Sequence, residues 1–122
     1  MKPTSHLPRI IRKRGNWGRI PQLRLLLEHV RAKHAACYHD AVVSLLEAEG
    51  WFTKREYGVT FPSGRKGRVD VVAMKPGTGP WNPDLWLALE LDNRSPRRKS
   101  IIKLEQFPEA YWITGILLRD PH

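Results

Sequence analysis

The chain has 122 residues, with 21 Lys and Arg against 12 Asp and Glu, which gives a formal net charge of +9. This length allows one domain with its own core, and a composition of 41% hydrophobic and 27% charged residues is typical of a folded soluble protein. No apolar run is long enough to cross a membrane, and the single cysteine, Cys37, excludes an internal disulfide. A reducing, cytoplasmic location is therefore expected.

The excess positive charge is clustered along the chain. Residues 1–33 hold nine Lys and Arg, and further clusters lie in residues 54–68 and 94–103. Clusters of this kind are typical of proteins that bind nucleic acid, although solubility or an anionic membrane surface would also account for them. Because the clusters flank two acidic segments, described below, nucleic acid is the favoured partner.

Residues 1–20 predict a basic N-terminal arm. They mix proline, glycine and tryptophan with cations and show no helical or strand period. Such an arm is expected to contact phosphates without reading bases. The cations assigned to these contacts are Arg9, Arg12, Lys13, Arg14 and Arg19.

Residues 21–50 predict an amphipathic helical region. Apolar residues recur at steps of three and four from Leu23 to Ala48, as they do on one face of a helix. The stripe fits either one long helix or two helices broken near His34. Gly50 is expected to end the region as a C-cap.

Three strands, a helix and a last strand are predicted after this region. The strand-like segments are residues 51–61, 68–74 and 85–91, separated by a turn and by a loop rich in proline and glycine. Ser95 and Pro96 predict the start of a helix that ends near Phe107, and residues 111–118 predict the last strand. The expected class is α/β (α+β), with an αβββαβ core over residues 21–122 and a mixed four-stranded sheet flanked by helices.

Two of the predicted strands carry carboxylates. Asp70 lies in one of them, and Glu90 and Asp92 lie in the next. Burying an unpaired carboxylate costs several kcal/mol, so such groups usually have a partner. Since side chains alternate along a strand, Glu90 and Asp92 point to one face, which Asp70 shares if the register aligns. Three carboxylates at neighbouring strand ends would suit a hard cation such as Mg²⁺.

A network of surface ion pairs is the alternative to a metal site. In that case Glu90 and Asp92 would pair with nearby arginines, and Asp70 would pair with Arg68 or Lys66. Such networks are common and contribute little to stability. The arginines available to Glu90 and Asp92 are Arg94, Arg97 and Arg98.

The order of elements and acids resembles the PD-(D/E)XK nuclease superfamily. Residues 39–51 are similar to the first helix of archaeal-type Holliday-junction resolvases and phage nucleases, and residues 68–73 to the segment that carries the family's aspartate. Glu90-Leu91-Asp92 stands where the family has Glu-x-Lys, so the motif lysine is replaced by Asp92. The resemblance implies a restriction-endonuclease-like fold.

The resemblance also implies roles for individual residues. Asp70 and Glu90 would hold Mg²⁺ (or Mn²⁺), with Asp92 as a third ligand or as the base. Lys103 of the following helix would supply the missing lysine. His39 stands where resolvases often have a glutamate on the first helix, and Glu47 on the same helix is a second helper. The cations expected to face DNA phosphates are Arg68, Arg97, Arg98 and Lys99.

The function expected from these residues is a metal-dependent DNA endonuclease. The resemblance implies branched DNA as a substrate class, a phage or mobile element as a source, and a homodimer because a junction presents two strands. Two alternatives stay open. The chain could bind nucleic acid without catalysis after losing the motif lysine, or it could be a small subunit that recognises protein or RNA within a complex.

Overall fold

Five strands form one mixed sheet in the computed structural model, which describes residues 7–121. They are β1 (Arg9–Arg14), β2 (Phe52–Thr60), β3 (Lys66–Lys75), β4 (Leu85–Asp92) and β5 (Trp112–Leu118). Their order in the sheet is β1-β5-β4-β3-β2, and β4 and β5 are parallel while every other pair is antiparallel. The α+β class and the mixed sheet are therefore confirmed, but the expected number of four strands is wrong.

The additional strand comes from the segment expected to be an arm. β1 lies at the edge of the sheet, where Arg9 is opposite Leu118 and Arg14 is opposite Thr114. Ile10 is buried, and the Trp17 indole N–H donates to the Thr114 carbonyl at 2.9 Å. Burial of these side chains fixes residues 9–20 against the sheet; residues 1–6 of the expected arm lie outside the described residues.

Two glycines allow this docking. Gly15 has φ +80°, and a Cβ there would collide with the Trp112 carbonyl. A Cβ at Gly115 would lie 2.8 Å from Ile10 Cγ2 and 3.0 Å from the Trp17 ring. Because Gly115 has no side chain, Ile10 and Trp17 of the N-terminal segment can pack directly against the backbone of β5.

The helical region breaks into two helices, as one of the two alternatives predicts. They are α1 (Pro21–Leu27) and α2 (Ala35–Ala48), with residues 28–34 between them. The third helix, α3 (Arg98–Leu104), is shorter than expected at both ends, and its N-cap is Arg97 rather than Ser95. None of the helices in residues 7–121 has the length and apolar character that crossing a bilayer requires.

The sheet has a hydrophobic core on each face. On one face, α1 and α2 pack on the sheet around Leu27, Leu46 and Leu89, together with the side chain of Ile10 from β1. On the other face, Leu104 of α3 and Phe107 pack on the sheet. Asp70, in the middle of β3, and Glu90, near the end of β4, thus lie between α2 and α3.

Candidate active site

Asp70 and Glu90 lie where β3 and β4 separate. The last backbone pair between these strands joins Val71 and Leu89. Beyond it, the Asp70 N–H donates to Glu90 Oε2 at 2.8 Å, and the Leu91 N–H donates to Asp70 Oδ2 at 2.7 Å. The carboxylates of Asp70 and Glu90 thus accept from backbone N–H groups in place of the carbonyls of the partner strand. These bonds hold the two carboxylates on opposite sides of the gap between β3 and β4.

An interruption of the side-chain alternation in β3 places Asp70. Val69 and Val72 both belong to the core beneath α3, whereas Val71 belongs to the core beneath α2. Strict alternation would put Val69 and Val71 on the same face. Asp70 occupies this irregularity. Its carboxylate therefore lines the groove beside α3 and also the groove beside His39 of α2.

His39 of α2 faces Asp70. Its Nε2 lies 3.7 Å from Asp70 Oδ1, and its Nδ1 lies 2.8 Å from the Ala35 carbonyl oxygen. Because a carbonyl oxygen only accepts, Nδ1 carries the proton of the neutral ring. The neutral imidazole therefore presents the lone pair of Nε2 to the site.

Glu90 is fully buried and pairs with a lysine of α3. The Lys103 ammonium donates to Glu90 Oε1 at 2.9 Å, and its side chain is only 12% exposed. Burial, followed by the nearby charge of Asp70, raises the pKa of Glu90 to about 7, against the opposing effects of Lys103 and the Asp70 N–H. Burial is therefore the main reason that the ionised form of Glu90 is disfavoured, and a bound cation would offset this cost.

Asp92 faces α3, as its two-residue spacing from Glu90 predicts, but its partners differ. Its Oδ1 accepts from Arg97 Nε at 2.9 Å and from the Ser100 hydroxyl at 3.1 Å, and its Oδ2 accepts from the Arg97 N–H at 2.9 Å. Asp92 therefore holds the beginning of α3 in place. The ion-pair alternative correctly describes Asp92, which pairs with Arg97. Asp70 instead faces His39, and Glu90 pairs with Lys103.

A basic groove opens beside Asp70, which we call the hairpin groove. It lies between the β2–β3 turn and α3, has a volume of about 770 Å³, and includes Phe61 and Ile102 among its apolar walls. Its cations are Arg65, Lys66, Arg68, Arg97, Lys99 and Lys103. Such a lining suits a polyanion, and it brings three of the predicted phosphate contacts, Arg68, Arg97 and Lys99, to the acidic pair.

A second groove, the His39 groove, opens on the other side of Asp70. It has a volume of about 370 Å³, and its lining includes Tyr38, His39, Asp70 and Arg119. Neither Arg119 nor Tyr38 was predicted from the sequence to belong to the site. The position of Arg119 directly after the last strand was the available signal, since residues at that position lie at the sheet edge that carries Glu90 and Asp92.

The remaining predicted residues lie away from the acidic pair. Glu47 accepts from the Thr53 hydroxyl at 3.0 Å on the surface. Arg14 pairs with Glu109 at 3.4 Å, and Arg19 contacts Asn82 near the beginning of β4, at the end of the strand opposite Glu90. The predicted arm cations that are exposed along β1 are Arg9, Arg12 and Lys13.

The donor set suits a hard divalent cation bound in part by water and phosphate. No group of three His, Cys, Asp or Glu side chains within residues 7–121 could hold a metal ion. Mg²⁺, however, is usually bound by one or two carboxylates together with waters and substrate phosphates. Asp70 directs Oδ1 at His39, whereas both oxygens of Glu90 and both oxygens of Asp92 already accept hydrogen bonds, so a metal ion held by Asp70 and Glu90 would have to displace a hydrogen bond of Glu90.

Comparison of the chain with protein-family models, curated proteins and solved structures gave no match.

Proposed function

We propose that this chain is a Mg²⁺- or Mn²⁺-dependent DNA endonuclease with a restriction-endonuclease-like fold. One observation carries the proposal: Asp70 and Glu90 face each other across the gap between β3 and β4, with the Lys103 ammonium on Glu90. Asp70 of this pair and Lys103 line a groove together with five other Lys and Arg side chains. Carboxylates, an ammonium and a surrounding basic surface are the groups that phosphodiester hydrolysis requires.

Each residue of the pair has a distinct part in this proposal. Asp70 and Glu90 would hold the metal, which when bound would polarise the phosphate and supply an activated water. Lys103 would neutralise charge that develops on the phosphate, the part that the motif lysine has in the resembling family. His39 Nε2 would accept a proton from water or contribute a ligand, since its lone pair faces Asp70.

Nucleic-acid binding without catalysis is the second candidate. It is favoured by the occupancy of Glu90, both of whose oxygens already accept hydrogen bonds. A Lys–Glu pair of this kind would also stabilise a fold that has no metal. The basic grooves would serve binding in either case, so affinity for DNA does not distinguish the two candidates.

Cleavage assays with matched variants distinguish them. We expect the parent protein to cut branched or linear DNA with Mg²⁺ or Mn²⁺, and Asp70→Asn to lose cleavage while it binds DNA as well or better, because it removes a negative charge. Asp84→Asn is the control, since Asp84 lies just before β4, at the end away from Glu90, where its Oδ1 accepts a hydrogen bond from the Gly77 N–H. Cleavage by Asp70→Asn at the parent rate would contradict the assignment, and absence of parental cleavage with either metal would favour the binding protein.

The preference for branched DNA belongs to the same proposal. Cutting both strands of a junction requires two active sites, and therefore a homodimer. Sedimentation of the protein with and without a four-way junction tests this directly. A monomer on the junction, together with equal cutting of linear duplex, would restrict the proposal to a general endonuclease.

A further inference from the structure

The basic surface continues on the far side of Asp70. The hairpin groove and the His39 groove share Asp70 and Arg97 in their linings. The His39 groove, which is also lined by Asp92, in turn shares Arg119 with a third groove, of about 620 Å³, which is lined by Arg31, Lys33 and Asp120 as well. Asp70 therefore lies between the first two of three adjoining grooves.

Arg119 is the cation at the centre of the two grooves beyond Asp70. Its Nε and one terminal nitrogen donate to Asn93 Oδ1 at 3.3 and 3.0 Å, and its other terminal nitrogen donates to the Lys33 carbonyl at 3.3 Å. The two acceptors, Asn93 Oδ1 and the Lys33 carbonyl, are uncharged oxygens, so these three bonds orient the guanidinium without offsetting its charge. A guanidinium has five N–H donors, so the three bonds leave donors for an anion.

The Tyr38 hydroxyl lies close to this cation. Tyr38 is buried, its hydroxyl has no hydrogen-bond partner among residues 7–121, and its side chain lines the His39 groove. Burial raises the pKa of Tyr38, and the charge of Arg119 acts in the opposite direction, so the two groups are electrostatic neighbours. An unpartnered buried hydroxyl beside an oriented guanidinium would donate to the oxygen of an anion that enters the groove.

We propose that Arg119 and Tyr38, with Arg31 and Lys33 beyond them, form a second phosphate-binding subsite. The subsite takes an internal phosphodiester of the same DNA strand whose scissile phosphate lies between Asp70 and Lys103. The strand then runs from the hairpin groove, past the acidic pair, to the third groove. This inference rests on the proposed function, because the position of the scissile phosphate defines the neighbouring one.

Neutral-phosphate scanning tests the subsite without cleavage. Single-stranded and junction oligonucleotides with one methylphosphonate at successive positions are titrated with the protein in EDTA, and the affinity is measured by fluorescence anisotropy. In the parent, neutralising the phosphate at the subsite should weaken binding about tenfold, as expected for a lost charge-assisted contact. Arg119→Gln should bind the unmodified strand more weakly by a similar factor and show no further loss at that one position.

Two further variants and a control complete the scan. Lys33→Gln, at an exposed residue, should remove the penalty at a phosphate farther from the scissile one, which keeps the test informative if Arg119→Gln is poorly folded. For a single strand, each lost contact should also reduce the slope of log affinity against log salt by about 0.7. Lys75→Gln is the charge-matched control at the opposite end of β3 and should leave the profile unchanged. Tyr38→Phe keeps the buried ring but lacks the hydroxyl. It should weaken DNA binding and reduce the methylphosphonate penalty only at the phosphate that Arg119 contacts.

The outcomes separate this subsite from the nuclease itself. If the parent cuts DNA but Arg119→Gln and Lys33→Gln keep the parental methylphosphonate profile, the subsite is refuted and the endonuclease stands. If the profiles change as expected but no metal supports cleavage, the subsite stands and the endonuclease is refuted. A response only to strands that end in a phosphate would refute the internal phosphodiester and assign the groove to strand ends.

Discussion

Replacement of Glu90 by glutamine should change how stability depends on pH. The folded protein holds the Glu90 proton more tightly than the unfolded chain, because the pKa rises from 4.5 to about 7 on folding. The stabilisation from this proton is fully present below pH 4.5 and is lost as pH rises through 7. Glutamine has no such proton, so Glu90→Gln should gain on the parent protein as pH increases.

The size of the effect follows from the same pKa difference. Each pKa unit corresponds to about 1.4 kcal/mol, so ionising Glu90 in the folded protein costs about 3 kcal/mol above pH 7. An amide cannot accept from both Lys103 and the Asp70 N–H, which adds an offset that does not depend on pH. The change in the difference between variant and parent, rather than its level, is therefore the measured quantity.

Urea unfolding in EDTA between pH 4 and 8.5 provides the measurement. With a slope of about 1–3 kcal/mol per molar urea, the unfolding midpoint of Glu90→Gln should rise by about 1–3 M relative to the parent across this range. Glu105→Gln, at an exposed carboxyl just after α3, is the control and should remain parallel to the parent. A constant difference between Glu90→Gln and the parent would refute the view that burial beside Asp70 disfavours the ionised form of Glu90.

Three further predictions concern residues around the site and beneath β1. Lys103→Ala should lower turnover about 100-fold in a single-turnover cleavage assay, the range for losing one electrostatic stabiliser, while Lys99→Ala should mainly weaken binding; equal rates for Lys103→Ala and the parent would exclude Lys103 from catalysis. Asp92→Asn should lower the free energy of unfolding by about 1–3 kcal/mol, since a buried acceptor of charged and backbone donors is weakened; an unchanged midpoint would show that α3 does not depend on Asp92. Gly115→Ala should cost about 1–3 kcal/mol, because its Cβ would lie 2.8 Å from Ile10, and wild-type stability would show that β1 is not seated on β5.

The acidic pair was predictable because of what burial costs. Carboxylates inside apolar strands need partners, and this reasoning pointed to Asp70 and Glu90 before any coordinates. Lys103 was expected, from the resemblance, to supply the missing motif lysine from the helix that follows β4, and the structure places its ammonium on Glu90. These features depend on alternation and on local spacing, which a sequence displays directly.

Other features depend on contacts between distant segments and were missed. β1 has adjacent isoleucines among cations, a pattern without alternation, and its partner β5 lies at the other end of the chain. Its docking is visible only once Gly115 is known to face Ile10 and Trp17. Arg97 was one of the arginines that the ion-pair alternative offered to Asp92, but the contact with Ser100 depends on the path of residues 93–97 and was missed.

The pairing of β1 with β5 has a consequence for how the chain folds during synthesis. Arg9 and Leu118 are neighbours in the sheet although roughly a hundred residues of chain separate them. At typical rates of translation, β1 would leave the ribosome about 5–20 s before its partner strand is made. Its four cations, Arg9, Arg12, Lys13 and Arg14, would repel other exposed strand edges during that delay. The same charges that are predicted to contact DNA phosphates would thus protect the nascent chain from aggregation.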